Sequence, residues 1–251
     1  MGRQRRAIVV VFIIGLLANM VDCWNLNMIG YNPLSAGNRD RLLDIKHEFY
    51  HADIVALAGT TRKAGSLDVE QQRLEEWTCY SAGWRQAQHS NRSCGVSLLL
   101  GKKFKPKHVI KVSSIGDQCP GRGLAVRLKS GFFDLLPMSV YFPPKPTKKA
   151  QLKGYQSAVK KIVNWMDEVL SKIPAGCTPL IYTDLNDGVG LQSAGPQGAW
   201  TFDYETKCIS KEAARKEMWP DGAGESFRKL LERHHLWLPT AVLDPRDTFF
   251  G

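Results

Sequence analysis

The chain has 251 residues, of which 43% are hydrophobic, and it carries a formal net charge of +10. This length suits one large domain or two small ones, and the hydrophobic content excludes a disordered chain, which would be poor in apolar residues. The sequence pI near 9.4 favours polyanionic partners such as nucleic acid or an anionic membrane. Lysines spread over the surface for solubility would produce the same charge, so both interpretations stay open at this point.

Six cysteines are scattered along the chain, and no two of them form a Cys-x-x-Cys pair. This spacing excludes a zinc finger. An even count permits three disulfides, but a chain of this length can build a sufficient core without them. We therefore expect free thiols at all six positions, which are Cys23, Cys79, Cys94, Cys119, Cys177 and Cys208.

The amino terminus has the pattern of a secretory signal. Three arginines within the first six residues precede an apolar run over residues 7–17, which extends more weakly to Val21. A basic segment followed by an apolar one is typical of a signal peptide, and the run is short for a membrane span of about 20 residues. We predict a signal-peptide-like or anchor segment over residues 1–23, followed by one domain over residues 24–251. An upstream extension without function or a buried strand is the alternative.

Such a segment would send the chain to the secretory pathway or bring it into contact with a membrane through residues 7–21. Without it, an intracellular or nuclear location is expected. Asn91-Arg92-Ser93 is a glycosylation acceptor triplet and agrees with secretion, although such triplets are common by chance.

Apolar spacing and turn residues predict alternating helices and strands. We predict helices over residues 39–50, where Asn38 is the cap, 67–77, 152–173 and 225–234. We predict strands over residues 26–31, 53–58, 94–100, 108–114, 122–129, 132–142 and 180–183, and a last strand near Trp237. Ser130-Gly131 is a hairpin signal between two of these strands. Helices alternating with strands, with hairpins in the middle, favour a mixed α/β sandwich.

Polar residues or turn signals follow four of the predicted strands. They are Asn32, the turn Gly59-Thr60-Thr61-Arg62, Tyr141, and the pair Asp184 and Asn186. Active sites collect at strand ends, because rigid strands hold the side chains there while the loops vary. Each residue alone is more typical of a turn or a core. The motif that begins at Asp184 also resembles half of a calcium loop, but its twelfth position lacks the glutamate of an EF-hand.

Four segments in this order resemble the motifs of one superfamily. They are Tyr31-Asn32, DIVALAGT over 53–60, SVYFPP over 139–144 and PLIYTDLN over 179–186, and a helical segment over 225–234 follows them. Together they resemble the endonuclease/exonuclease/phosphatase superfamily, nearest to non-LTR retrotransposon endonucleases and craniofacial-development-protein-like sequences. The resemblance runs from about Leu26 to the end. It implies a four-layer α/β/β/α sandwich of the DNase I-like type.

The resemblance also implies a mechanism. In this superfamily a divalent metal, usually Mg²⁺, binds the scissile phosphate as a Lewis acid, and an aspartate–histidine pair readies a water for attack. Carried over to this chain, Asp184 would activate the nucleophile and Asn186 would steady the phosphoryl transition state. Tyr141 would lie by the phosphate, and Asn32 would lie near the metal.

The sequence departs from the superfamily pattern at two places. The metal-binding glutamate falls at Gly59, which has no side chain, and no carboxylate in residues 59–66 replaces it. Mg²⁺ strongly prefers carboxylate oxygen, so its binding here is doubtful. The late Ser-Asp-His motif is also absent before Gly251, from which we expect a C-terminally incomplete, truncated domain. His234 and His235 lie on the preceding helix and are poor substitutes for that histidine.

Two groups of lysines are candidates for phosphate binding. Lys145, Lys148 and Lys149 follow the predicted site residue Tyr141, and we expect them to bind the backbone of a nucleic acid, DNA rather than RNA. The second group surrounds one predicted hairpin and is more typical of a solvated face; its members are Lys102, Lys103, Lys105, Lys107 and Lys111.

Three functions fit these observations. The first is an active phosphodiesterase or nuclease, which needs substitutes for the missing glutamate and histidine. The second is a degenerate relative, of the kind retroelements leave behind, that binds nucleic acid without cleaving it. The third is a secreted or anchored interaction domain that keeps only the fold. Gly59 and the missing motif favour the second.

Overall fold

The structure is a computed structural model of the chain. It describes residues 10–13, 26–65, 67–85, 94–186, 192–193, 199–200, 202–203, 208–209 and 222–236. The predicted strand near Trp237 and the glycosylation triplet at Asn91 lie outside these residues. The chain divides into two units, each described here by itself: Ala7–Tyr141 with Gly176–Thr183, and Phe142–Ala175 with Asp184–Gly251 and Met1–Arg6.

The first unit is built on two β-sheets. The strands in chain order are β1 (Val10–Ile13), β2 (Asn27–Tyr31), β3 (Ile54–Ala58), β4 (Glu70–Leu74), β5 (Trp77–Ala82), β6 (Val96–Leu100), β7 (Val109–Ser114), β8 (Gly123–Lys129), β9 (Asp134–Tyr141) and β10 (Thr178–Asp184), whose last residue opens the second unit. The larger sheet has the order β1-β2-β3-β6-β5-β4, and the smaller has the order β10-β9-β8-β7. This arrangement confirms the predicted mixed α/β class.

The central strands of the larger sheet bury apolar side chains on both faces, because another element of the fold packs against each face. All five residues of β3 are buried, and β3 pairs in parallel with β2. Side chains of a strand alternate between faces. One face of the larger sheet packs in one core cluster with residues of the smaller sheet, namely Met28, Ile54, Ala56 and Leu98 with Leu124, Val126 and Leu135. The other face packs against helix α1 (Arg39–Glu48), in a cluster of Ile29, Val55, Leu57 and Leu99 with Leu42 and Ile45.

Helix α1 begins at the predicted residue. The Asn38 side chain accepts a hydrogen bond from the Arg41 backbone N–H at 2.8 Å, which satisfies one of the unpaired donors of the first turn. The helix ends at Glu48, two residues before the predicted end. The prediction of its start, which depends on one capping side chain, is thus confirmed.

The predicted helix over residues 67–77 is wrong. Those residues form the hairpin of β4 and β5, with Leu74 opposite Trp77 and Glu75 at the turn with a φ of +56°. Leu74 and Trp77 are spaced as on a helix, but both are buried in the α1-facing cluster, and the polar residues between them turn the chain. Lys46 of α1 forms ion pairs with Glu75 and Glu76 and holds this turn. Tertiary contacts therefore override the helical spacing.

Four buried cysteines of the described residues are thiols rather than disulfides, as predicted: Cys79, Cys94, Cys119 and Cys177. Cys23 lies outside the described residues, and only the backbone of Cys208 is described. Burial and the neighbouring Asp134 raise the pKa of Cys177 to about 11, so its thiol stays protonated at neutral pH. The Arg127 guanidinium, which bonds both oxygens of Asp134 at 3.0 and 2.7 Å, holds the pKa of that carboxyl at about 2.

Among the described residues of the second unit are the helices α2 (Leu152–Ser171) and α3 (Ala223–Arg233). The Tyr155 hydroxyl accepts a hydrogen bond from the Ala223 N–H at 3.1 Å, at the start of α3. At the carboxyl end of α3, Asp167 of α2 pairs with His234 at 2.8 Å and with Arg233 at 3.0 Å. These contacts lower the pKa of the Asp167 carboxyl, and the hydrogen bond with His234 contributes most. His234 thus fastens α3 to α2. The backbones of two short hairpins, β11 (Gln192–Ser193) with β12 (Ala199–Trp200) and β13 (Phe202–Asp203) with β14 (Cys208–Ile209), are also described.

Within the predicted signal-peptide-like segment only β1 is described. It pairs antiparallel with β2, with Val10 opposite Gly30. No helix among the described residues has the length and apolar character to cross a membrane. The signal or anchor assignment stays a prediction.

Gly30 lies where β2 faces the ring of Tyr182 on β10. A β-carbon at this position would lie 2.0 Å from the ring atom Cδ2, a distance that no packed carbon can adopt. We expect Gly30→Ala to lower the free energy of unfolding by about 1–3 kcal/mol through overpacking, measured by urea denaturation. The matched control is Gly154→Ala in α2, where nothing lies within 4 Å. That change should stabilise the chain by about 0.5–1 kcal/mol, and a Gly30→Ala chain as stable as the parent would contradict the packing described.

Candidate active site

Asn32 and Gly59 lie together at the carboxyl ends of two parallel strands. Tyr31 of β2 pairs with Leu57 of β3, so the residues that follow them emerge side by side. The Asn32 Oδ1 accepts a hydrogen bond from the Leu34 backbone N–H at 2.9 Å. Gly59 has a φ of +79°, and a β-carbon there would lie 2.7 Å from Asn32 Oδ1. Both the backbone conformation and the neighbouring amide therefore favour glycine at this position.

The turn after Gly59 is held by backbone hydrogen bonds. The N–H groups of Gly59 and Thr60 both donate to the Gly95 carbonyl, at 2.9 and 3.0 Å. Thr60 is fully buried, and the guanidinium of Arg62 pairs with Glu70 at 2.9 Å. The turn presents no carboxylate, and its one cationic side chain among these residues is already paired.

These residues do not fit the Mg²⁺ ion that the resemblance implies. The described part of the chain contains no cluster of three or more His, Cys, Asp or Glu side chains that could hold a metal. Gly59 offers no ligand, and the Asn32 oxygen is engaged with a backbone N–H. Mg²⁺ prefers octahedral coordination by oxygen, and the ends of β2 and β3 offer it no carboxylate.

Tyr141 ends β9 and is 7% exposed. The Arg122 guanidinium lies over its ring, 4.9 Å from the centroid, and donates to the Tyr141 carbonyl at 3.4 Å. The Tyr141 N–H in turn donates to the Arg122 carbonyl at 2.9 Å. Arg122 is itself buried, and a buried arginine over an aromatic ring fixes the orientation of that ring. Arg122 is not recognisable from the sequence, because an isolated arginine before a strand carries no pattern that distinguishes it.

Asp184 and Asn186 belong to one local hydrogen-bond network in the second unit. The Asn186 N–H donates to Asp184 Oδ1 at 3.2 Å, and its side-chain Nδ2 donates to the Phe142 carbonyl at 2.9 Å. The Phe142 N–H donates to the Asp184 carbonyl at 2.9 Å, and its ring packs edge-on against Phe227 at 6.2 Å. Asn186 adopts a φ of +51°, which asparagine tolerates better than most residues. The amide of Asn186 therefore already binds a backbone carbonyl.

The three lysines predicted to bind phosphate lie on the segment that leads into α2. Lys148 and Lys149 are exposed, and Lys145 is half-buried. Lys148 and Lys149 make no ion pair with a carboxylate among the described residues. Exposed ammonium groups without a carboxylate partner suit contact with a phosphate backbone.

The predicted site residues are thus found in two groups. Asn32 contacts Gly59 in the first unit, where Tyr141 is packed under Arg122. Asp184 and Asn186 are joined in the second unit through the backbone of Phe142. That all of these residues form one active site at the strand ends stays a prediction.

The first unit also has a shallow surface depression. Its lining includes Gly83, Gly121 and the side chain of Arg85, which pairs with Asp68 and with Asp117 at 2.5 Å. Because its cation already has two carboxylate partners, we do not assign the depression to substrate binding.

Comparison with solved structures identifies the fold. The AP endonuclease LMAP from Leishmania major matches 82% of this chain and 66% of its own length, with a TM-score of 0.51 and 13% identity. The endonuclease domain of TRAS1, a telomere-specific non-LTR retrotransposon, matches 82% of this chain and 69% of its own, with a TM-score of 0.41 and 11% identity. The chain spans just under two thirds of the length of the first. No protein-family model and no curated protein sequence matches. The likeness to the first structure shows the DNase I-like fold, and at 13% identity it shows the fold alone.

The contact between Gly59 and Asn32 gives a testable result. We expect Gly59→Ala to lower the free energy of unfolding by about 1–3 kcal/mol, since it adds strain at positive φ and a clash with the amide. Urea denaturation measures the change. The control is Gly131→Ala in the β8–β9 hairpin, where nothing lies within 4 Å. A loss at Gly59 no larger than the loss at Gly131 would show that the strand ends are arranged differently.

Proposed function

From the DNase I-like fold of this chain, we propose that it binds nucleic acid, DNA rather than RNA, without hydrolysing it. The proposal depends chiefly on Gly59, which stands at the metal-binding glutamate of the superfamily and is pressed against Asn32. Gly59 supplies no oxygen ligand for a metal. The Asn32 amide also occupies the space into which a carboxylate side chain at position 59 would project. The ancestral activity of the fold would be Mg²⁺-dependent phosphodiester hydrolysis.

The remaining candidate residues support binding without hydrolysis. Asp184 is the carboxylate that would activate water, and Tyr141 and Asn186 would contact the phosphate. Without a metal to neutralise charge on the phosphate, these groups supply orientation but not the largest electrostatic contribution to phosphoryl transfer. The side-chain Nδ2 of Asn186 is also engaged by the Phe142 carbonyl, which limits its use as a donor to an oxyanion.

Charge supports nucleic-acid binding. The net charge of +10 attracts a polyanion over the distances that physiological salt leaves unscreened. Lys148 and Lys149 add two exposed ammonium groups next to a proline-containing segment that follows Tyr141. Contacts of this kind position a protein on a phosphate backbone and carry little sequence information, so we expect binding with weak sequence preference.

The purified chain should not cleave plasmid DNA in the presence of Mg²⁺. We expect its nicking rate to equal that of the Asp184→Ala variant, because Asp184 would have no bound metal beside it to stabilise charge on the phosphate. Conversion of supercoiled to nicked plasmid on agarose gels measures the rate, with a commercial DNase I-type nuclease as positive control. Robust cleavage that disappears in Asp184→Ala would overturn the loss of catalysis.

DNA binding should weaken steeply as salt rises. Each phosphate contact contributes about −0.9 to the slope of log K against log salt, so Lys148→Ala with Lys149→Ala should reduce the slope by about 2. Fluorescence anisotropy of a labelled duplex measures it between about 50 and 200 mM salt. The matched control is Lys160→Ala with Lys161→Ala, two exposed lysines of α2 in the same unit. Affinity that is independent of salt would contradict nucleic-acid binding.

A further inference from the structure

Phe132 is the most exposed large hydrophobic side chain of the described residues, at 89%. It lies at the tip of the hairpin between β8 and β9, where a β-carbon on neighbouring Gly131 would meet nothing within 4 Å. Ile110 on β7 is also exposed, at 54%. Val109 and Val112 of the same strand pack against the core, so Ile110 and Lys111 lie on the solvent side. Two exposed apolar side chains near one end of a sheet suggest a contact surface.

This end of the first unit is opposite the strand ends that carry Gly59 and Tyr141. Phe133, next to Phe132, packs against Phe104 at 5.6 Å, and Phe104 follows the end of β6. The Gly101 N–H donates to the Asp53 carbonyl at 2.8 Å, which ties the same end of β6 to the start of β3. Strands β3 and β9 therefore both begin here and run towards Gly59 and Tyr141. Along β9 the separation is roughly 23 Å at 3.3 Å per residue.

Lysines surround the exposed apolar residues. The ring of Phe133 contacts His108 at 5.5 Å, which brings the turn over residues 105–108 beside the hairpin tip. Lys105, Lys107 and Lys111 are exposed. Together with Phe132 and Ile110 they are called the basal surface.

The nearest carboxylates do not neutralise this surface. Asp134 is bound by Arg127 at 2.7 Å and approached by Lys129 at 3.6 Å, and Asp53 is bound by Lys103 at 2.8 Å. No carboxylate among the described residues forms an ion pair with Lys105, Lys107 or Lys111. Glu75 and Glu76, at the β4–β5 turn of the larger sheet, are paired with Lys46. The basal surface therefore carries an uncompensated positive charge around an apolar tip.

We propose that the basal surface docks the chain on an anionic lipid bilayer. Phe132 enters the interfacial region, where aromatic rings are favoured, and the lysines bind anionic headgroups. A convex tip with an aliphatic neighbour suits a flat bilayer better than a nucleic acid, whose bases stack on aromatic platforms within grooves. Docking at this end leaves the strand ends that carry Asn32 and Tyr141 directed away from the membrane.

Vesicle flotation of the full 251-residue chain tests the proposal. The vesicles are phosphatidylcholine alone or with about one-third phosphatidylserine, the lipid class that attracts clustered lysines. Phe132→Ser should lower binding to the anionic vesicles about fivefold and Lys105→Glu with Lys107→Glu about tenfold or more. All variants keep the apolar amino-terminal run, so differences between them report on the basal surface. Far-UV circular dichroism verifies that each variant is folded.

Two control variants match the changes in chemistry. Leu67→Ser removes another exposed apolar side chain, 64% exposed, and Lys160→Glu with Lys161→Glu makes the same change in net charge on α2. Both should float like the parent chain. Equal flotation of parent, Phe132→Ser and the basal lysine variant would overturn the proposal, as would equal losses in the control variants.

A second arm separates this surface from the proposed nucleic-acid function. The same variants are titrated with a labelled single-stranded oligonucleotide and a duplex. We expect Phe132→Ser to leave both affinities unchanged while it lowers flotation. A loss of oligonucleotide binding with unchanged flotation would overturn membrane docking and identify the surface as a nucleic-acid platform. Failure of the chain to bind DNA at all would refute the proposed function and leave the flotation result standing.

Discussion

The contact between Gly59 and Asn32 constrains everything that the candidate site can do. The chain leaves β3 at positive φ, and the amide of Asn32 occupies the space into which a side chain at position 59 would project. The next residue, Thr60, is fully buried, and its N–H shares the Gly95 carbonyl with that of Gly59. The positive φ and the Asn32 amide therefore disfavour a carboxylate side chain at position 59.

The stability of the first unit comes from contacts away from this turn. The two sheets share a core in which Ile54, Ala56 and Leu98 of the larger sheet meet Leu124 and Val126 of the smaller one. The Ser139 hydroxyl, buried on β9, donates to the Leu57 carbonyl of β3 at 2.6 Å and ties the sheets close to their carboxyl ends. None of these contacts requires a metal or a catalytic side chain. These contacts, rather than the turn at Gly59, form the core of the DNase I-like fold, beside which Tyr141 is held under Arg122.

Positive charge is arranged differently on the two surfaces for which binding is proposed. Lys148 and Lys149 follow the strand that ends at Tyr141 and have no apolar side chain of comparable exposure described beside them. At the basal surface, Phe132 and Ile110 protrude among lysines. Lysines alone suit a phosphate backbone, whereas lysines around an exposed ring suit an interface that has both charge and an apolar interior.

The sequence by itself determined the elements whose signal is local. The apolar run of β3, the Asn38 cap of α1 and the Ser130-Gly131 hairpin were all predictable, because each depends on a few neighbouring residues. The motif order also predicted the DNase I-like fold. Tertiary structure alone decided the β4–β5 hairpin, since Leu74 and Trp77 satisfy helical spacing and a paired turn equally well until α1 and Lys46 are in place. It alone also decided the contacts of Gly59 with Asn32 and of Arg122 with Tyr141, because those residues are distant in the chain and only the assembled sheets bring them together.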